Sequence, residues 1–260
     1  PFMQRAFLAG AILAVLLATL GIFVTLRKMA FFGDGIAHSS LAGIAIAILT
    51  GLAPLPVALG WALLIALLIY WLERSTKLPS DSLIGIFFTA SMALGVTLMS
   101  FTTGYRPELL SYLFGSILSI QNTDLLITAV VASVIMVWLI CSFRQLTFLS
   151  LSEDAAVVSG VSQRAQTITL YVALALATVL GVKILGIILV SALLIIPPAT
   201  SRMLTHSFKG YVVTSLILGL LTVVIGLTLS YIYDLPSGAS IILTGTGLFF
   251  LSAILRPKIR

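Results

Sequence analysis

Apolar runs of about 20 residues recur along the whole chain, and each is long enough to cross a lipid bilayer as a helix. Hydrophobic residues make up 60% of the 260 residues and charged residues only 8%, whereas a soluble domain carries about 25% charged residues. The runs do not alternate polar and apolar residues, as the strands of a membrane barrel would. The sequence therefore predicts an all-α polytopic membrane protein.

Nine candidate spans follow from these runs. Two of them, 35–53 and 184–201, are short and interrupted by Gly or Pro, so eight full spans is the open alternative. A further apolar segment, 108–120, is too short to cross and is interpreted as a re-entrant or interfacial helix. We expect one transmembrane domain over 1–260. Its spans are 6–26, 35–53, 55–72, 82–102, 123–142, 165–182, 184–201, 210–232 and 237–255.

Basic residues predict the orientation of the chain. With nine spans and the N-terminus outside, eleven of the 14 Lys and Arg residues fall on the cytoplasmic side, the bias that the positive-inside rule describes. The net charge of +6 therefore needs no nucleic acid as a partner. Cys141 is the single cysteine, which excludes an internal disulfide and a cysteine-based metal cluster. The sequence contains no Walker phosphate loop, so the chain does not hydrolyse ATP by itself.

The segment FFGDGIAHSS places Asp34 and His38 four residues apart, on one face of a predicted helix. Lys28 marks the cytoplasmic boundary, and His38 would lie about 15 Å further in, near the middle of the bilayer. A carboxylate and an imidazole can share Zn²⁺, Mn²⁺ or Fe²⁺, and a second copy across a two-fold axis would complete four ligands. The open alternative is that Asp34 caps the helix N-terminus and His38 is a buried polar residue.

Two further patterns concern helix packing and helix breaks. Gly35, Ser39 and Gly43 recur every four residues, a spacing that lets membrane helices approach closely. This stripe would pack within the chain or against a partner helix beside a narrow path. Pro197 and Pro198 predict a helix break, since proline removes a backbone donor. The break would be a moving part or a fixed bend, or the helix would simply end there.

Four stretches of the chain, in the right order, resemble the permeases of bacterial zinc, manganese and iron ABC importers. The resemblance covers nearly the whole chain, and the doubled proline is a minor departure from the family's single Pro followed by a small residue. It implies the ABC importer permease fold in a bacterial cytoplasmic membrane. The stretches are GDGIAHSSLAGIAIA, LLSYLFGSIL (109–118), LSEDAAVVSGV (151–161) and GIILVSALLIIPPATSRML (186–204).

The resemblance also implies the site and the partners. Asp34 and His38 would contact the transported metal in the translocation path, and the wording AHSSLAGIA leans towards zinc over manganese. The partners would be a second permease copy, two cytoplasmic ATPase subunits that use the ATP, and an extracellular solute-binding protein. No cofactor would be bound permanently.

The polar stretch 143–164 is the candidate coupling segment. Its residues SEDAAVVSG begin with a serine that can cap a helix, followed by acids in the first turn. A plain loop helix without a partner is the alternative interpretation from these residues alone. The resemblance implies contact with the ATPase at Glu153, Asp154, Ala156 and Gly160.

Two other classes of function compete with the metal permease. A proton-coupled secondary metal transporter would use Asp34 and His38 as a proton relay, but it would leave the segment 152–160 without a role. A membrane-embedded metalloenzyme would need a motif such as two His and a Glu on one helix. The chain has two histidines in total, and His206 falls in a predicted loop. We therefore expect a transport subunit and not an enzyme.

Overall fold

The computed structural model describes residues 2–101, 120–151 and 159–255, and it contains nine α-helices within these ranges. All nine are long and apolar enough to cross a membrane. The described residues therefore contain nine candidate spans, which agrees with the all-α membrane fold that the sequence predicts. In chain order the helices are α1 (Phe2–Leu26), α2 (Phe32–Thr50), α3 (Pro54–Thr76), α4 (Ser80–Ser100), α5 (Asn122–Leu151), α6 (Gln163–Leu185), α7 (Ile187–Leu204), α8 (Phe208–Tyr233) and α9 (Ser237–Leu255).

Local sequence signals set the ends of several helices. α2 ends at Gly51, whose φ of 72° lies in the left-handed region that glycine adopts without strain. The α6 and α8 helices each start after a serine that caps the first turn. The Ser162 hydroxyl accepts a hydrogen bond from the Ala165 amide, and the Ser207 hydroxyl accepts one from the Gly210 amide.

Three helices form the interior of the bundle, and the others surround them. α1, α2 and α6 are largely buried, whereas α9 packs on α7 and α8 and is mostly exposed. α1 packs against α5, α7 and α8, and α2 packs against α3 and α4 and also touches α6 and α7. The outward faces of the peripheral helices carry large apolar side chains such as Val134, Val213 and Phe250, which suit contact with lipid.

The expected break at Pro197 and Pro198 is wrong, because α7 continues through both prolines to Leu204. The interruption lies earlier, at Gly186, which separates α6 from α7. Its φ of 82° and ψ of 163° fall in a region that is essentially restricted to glycine. This break, and not the prolines, lets the chain turn back and start a new helix.

A close contact between α1 and α7 accompanies the continuous helix at the prolines. Pro198 has no backbone N–H, so the carbonyl of Leu194, four residues earlier, loses its helical donor. Gly21 of α1 lies directly against this carbonyl, and a Cβ atom at position 21 would be 1.9 Å from the Leu194 oxygen. Weak Cα–H···O contacts recur at such helix–helix interfaces. Gly21 therefore lets α1 cover the exposed carbonyl.

Replacing Gly21 with alanine tests this contact. Because the added methyl group meets backbone and cannot be relieved by a side-chain rotation, we expect Gly21→Ala to destabilise the protein by about 1–3 kcal/mol. Gly60→Ala is the matched control, since a Cβ at position 60 of α3 meets nothing within 4 Å. Thermal unfolding in detergent should show a lower midpoint for Gly21→Ala only. Equal midpoints for the two variants would contradict the close packing.

Candidate metal site on α2

The first turn of α2 packs into the bundle through Phe32, which is fully buried. The ring of Phe32 packs against the fully buried ring of Tyr171, with 4.9 Å between ring centroids. Tyr171 is the ninth residue of α6, so α2 begins about 12 Å along α6 at 1.5 Å per residue. Asp34 and His38 follow two and six residues later, and α6 is about 34 Å long on the same scale. The pair therefore lies near the middle of the length of α6, and its place near the centre of the bilayer stays a prediction.

The two side chains point the same way and are joined to α7. The Nε2 atom of His38 lies 3.6 Å from Oδ1 of Asp34. The hydroxyl of Ser191 donates a hydrogen bond to the same Oδ1 atom at 3.0 Å. The imidazole of His38 also meets the ring of Phe88 edge-on, with 5.0 Å between centroids. Asp34 is in the first turn of α2, but the N-cap residue is Phe31, and no side chain caps the helix.

The separation of these two atoms suits one shared metal ion. Zinc binds imidazole nitrogen and carboxylate oxygen at 2.0–2.2 Å. For one zinc ion bound to both atoms, the N–Zn–O angle would therefore be about 120°. That value is near the tetrahedral angle of about 109° that zinc favours. Among the described residues, no group of three or more His, Cys, Asp or Glu side chains could hold a metal. The described part of one chain thus supplies two ligands at this place, fewer than the four of a closed zinc site.

The pair lies on the uncovered side of α2. Phe31, Asp34, His38 and Leu41 form one helical stripe that neighbouring helices leave partly or largely exposed, and we call it the α2 stripe. The side chains of Asp34 and His38 are 39% and 23% exposed. Ionisable groups at this depth are costly in lipid and almost always face protein or water. The α2 stripe therefore faces another protein surface or an aqueous path.

The small residues beside the pair serve contacts within the chain. A Cβ at Gly35 would lie 2.4 Å from Cγ2 of Ile84 on α4, and one at Gly43 would lie 2.8 Å from the Cα of Ala58 on α3. Ser39 is fully buried and donates to the carbonyl of Ile36 in its own helix. These glycines seat α2 against α3 and α4 and leave the α2 stripe free.

A polar cluster beneath α2 was not predicted from the sequence. The hydroxyl of Tyr171 donates to Oε2 of Glu73 on α3 at 2.6 Å, and Ser80 at the start of α4 donates to Oε1 at 2.5 Å. The guanidinium of Arg27 lies 5.9 Å from the centroid of the Tyr171 ring. Glu73 thus ties α3, α4 and α6 together below Phe32. The sequence did not indicate this role, because a glutamate in YWLERS is what an ordinary helix end would carry.

Two other polar contacts also join residues far apart in the chain. Lys183 near the end of α6 pairs with Asp124 at the start of α5, with 2.6 Å between Nζ and Oδ1. Ser191, the partner of Asp34, lies 157 residues from it in the chain. The sequence offers one sign that Ser191 has a role: it is a polar residue within the apolar run IILVSALLII of α7. His206 is exposed between α7 and α8, as expected for a loop residue.

The candidate coupling segment lies largely outside the described residues. Glu153, Asp154 and Ala156 fall in the range 152–158, which the structure does not describe, and so does Ser152. The segment 108–119 also falls outside it. Gly160 is described, and its φ of 70° is left-handed, a conformation that commonly follows a helix C-terminus.

Comparisons with known proteins give consistent matches over the full length. A family model described as the ABC 3 transport family matches residues 1–256. The high-affinity zinc uptake system membrane protein ZnuB of Haemophilus influenzae is 33% identical over 254 residues, covering 98% of this chain and 97% of the relative. The manganese transport system membrane protein MntC of Halalkalibacterium halodurans is 32% identical over 257 residues, covering 99% and 88%. This chain is thus about equally similar to relatives named for two different metals.

A solved structure supports the same fold. A chain of PsaBC from Streptococcus pneumoniae in complex with Fab superposes with a TM-score of 0.85 at 32% sequence identity. The match covers 99% of this chain and 92% of that chain.

Removing the Tyr171 hydroxyl tests the cluster that supports α2. Tyr171→Phe takes away one of two hydroxyl donors to the Glu73 carboxylate, and hydrogen bonds to charged groups contribute about 1.5–3 kcal/mol. We therefore expect a lower thermal midpoint for this variant. Tyr231→Phe is the control, because Tyr231 is 67% exposed on α8. If both variants melt together with the unchanged protein, the cluster does not support the fold.

Proposed function

The chain belongs to the ABC 3 transport family, and from that membership we propose that it is the permease of an importer for a divalent transition-metal ion. It is a multi-pass protein of the bacterial inner membrane and a transport subunit, not an enzyme. We further propose that the cargo is zinc or manganese, with zinc favoured. Membership of an ABC family favours ATP coupling over the proton-coupled alternative.

The observation that carries this proposal is the Asp34–His38 pair. Its two ligand atoms are 3.6 Å apart, and they occupy an otherwise apolar stripe at mid-depth. Carboxylate and imidazole ligands suit zinc and manganese. The names of ZnuB and MntC divide between these metals, so the preference for zinc rests on the wording AHSSLAGIA and on the 3.6 Å separation, which suits a tetrahedral ion.

A second copy of the chain would complete the site. Two α2 stripes facing each other across a two-fold axis would bring together two carboxylates and two imidazoles, enough for a four-coordinate ion. The same contact would remove both polar pairs from lipid. The site would hold its ion weakly, because conduction requires that the ion also leave.

The remaining partners complete the proposed importer. Two cytoplasmic ATPase subunits would hydrolyse ATP and dock against the segment around 143–164, with Glu153, Asp154, Ala156 and Gly160 at the contact. An extracellular solute-binding protein would deliver the metal and supply most of the affinity. Residues 1–260 would form one transmembrane domain of this assembly.

Substituting the pair tests the proposed function. We expect Asp34→Ala and His38→Ala each to abolish ATP-dependent uptake of ⁶⁵Zn²⁺ by liposomes that hold the assembled complex, because each removes half of one chain's ligands. Assembly of the dimer should be unchanged by gel filtration. Thr50→Ala is the control, since Thr50 is exposed at the end of α2 and bonds only to its own helix. Normal uptake in either pair variant would remove these residues from the mechanism.

Cross-linking tests whether two α2 stripes face each other. In a Cys141→Ser background, Phe31→Cys places a thiol on the stripe, where the side chain is 62% exposed. We expect a short thiol-specific cross-linker to join two copies through this position. Val134→Cys is the control, because Val134 is 64% exposed on the outward face of α5. Dimers linked through position 134 and not through position 31 would place the interface elsewhere.

A further inference from the structure

Within the ranges that the structure describes, Ser191 is the one residue outside α2 that hydrogen-bonds to a candidate metal ligand. Its Oγ atom lies 3.0 Å from Oδ1 of Asp34 and 3.4 Å from the carbonyl oxygen of Ile187, one turn earlier in α7. A hydroxyl has one proton to donate. The shorter bond, to a carboxylate, is charge-assisted and is the stronger of the two. Ser191 therefore holds Asp34 in preference to its own helix.

The fold places this hydroxyl with little freedom. After the break at Gly186, α7 starts at Ile187, four residues before Ser191, and the close contact of Gly21 with Leu194 fixes α7 against α1. Leu194 also packs over Gly33, where a Cβ would lie 3.3 Å from its Cδ2 atom. Since Gly33 precedes Asp34, α7 is anchored at the level of the pair. Ser191 is itself only partly buried, so it borders the α2 stripe.

The bonded oxygen is also the one that faces the imidazole. By holding Oδ1, Ser191 fixes the rotation of the Asp34 carboxylate and so sets the 3.6 Å separation from Nε2 of His38. A tetrahedral ion fits this separation. Neighbouring ligands of an octahedral ion subtend about 90°, so at equal bond lengths they stand closer together than the ligands of a tetrahedral ion. The hydroxyl thus holds the pair at a spacing that favours tetrahedral zinc over octahedral manganese.

We propose that Ser191 is a positioning residue that sets the metal selectivity of the Asp34–His38 site, favouring a tetrahedral divalent ion such as Zn²⁺. The inference rests on the proposed function, because it requires that Asp34 and His38 bind the cargo. Ser191 acts through Asp34 and need not contact the ion. Without the hydroxyl, the carboxylate can rotate towards spacings that suit other geometries.

Equilibrium binding of ⁶⁵Zn²⁺ and ⁵⁴Mn²⁺ to the purified permease–ATPase complex, without the solute-binding protein, tests this role separately from transport. Loss of a residue that orients a metal ligand typically costs 10–100-fold in affinity. For Ser191→Ala we expect the Kd for Zn²⁺ to rise about tenfold and the Kd for Mn²⁺ to change much less. Ser191→Thr, which keeps the hydroxyl, should restore the selectivity. Thr205→Ala is the control, since that hydroxyl donates only to the Ser201 carbonyl.

The possible outcomes separate this inference from the function on which it rests. Unchanged Kd values for both metals in Ser191→Ala, with no zinc binding by His38→Ala, would overturn the role of Ser191 alone. Equal losses in Ser191→Ala and Ser191→Thr would assign the position to packing and overturn it as well. Normal zinc binding and uptake in His38→Ala would overturn the proposed function itself.

Discussion

A carboxylate and an imidazole at the mid-depth of a membrane protein constrain everything around them. Such groups are costly in hydrocarbon and need protein or water on every side. The described residues leave the stripe of α2 that carries the pair uncovered, while glycines press other faces of the helix against α3 and α4. The arrangement leaves one direction open, and a second copy of the permease would fill it.

The position of this pair depends on contacts that reach it from both ends of α6. Near the start of α6, Glu73 ties α3, α4 and α6 around Tyr171, which supports Phe32 at the start of α2. At its far end, Gly186 ends α6 and starts α7, which brings Ser191 to Asp34. The buried helices therefore fix the position of the two candidate ligands through residues outside the pair, such as Tyr171 and Ser191.

The sequence predicts much of this fold because its signals are local. Nine apolar runs correspond to the nine helices of the described ranges, since the length and composition of each run decide whether it can span a membrane. The four-residue spacing of Asp34 and His38 also predicts that both lie on one face of their helix, because the helix has about 3.6 residues per turn. The predicted break at Pro197 and Pro198 is wrong, because a proline in a helix interior removes one hydrogen bond without always ending the helix. In this structure Gly21 covers the carbonyl that loses its donor.

The contacts that the sequence does not predict join distant parts of the chain. Ser191 bonds to Asp34 across 157 residues, and Tyr171 bonds to Glu73 across 98. A serine in an apolar helix can satisfy itself on its own backbone, so composition gives no sign of a partner elsewhere. Only the packing of α7 on α1 and α2 brings its hydroxyl to the pair.

X-ray absorption at the zinc edge, measured on the assembled complex at saturating zinc, tests the shared site most directly. The account predicts one zinc ion per two permease chains, bound by two imidazole nitrogens and two carboxylate oxygens at about 2.0–2.2 Å. One zinc ion per chain, or a coordination shell with a single imidazole, would contradict a site built from two facing copies of α2.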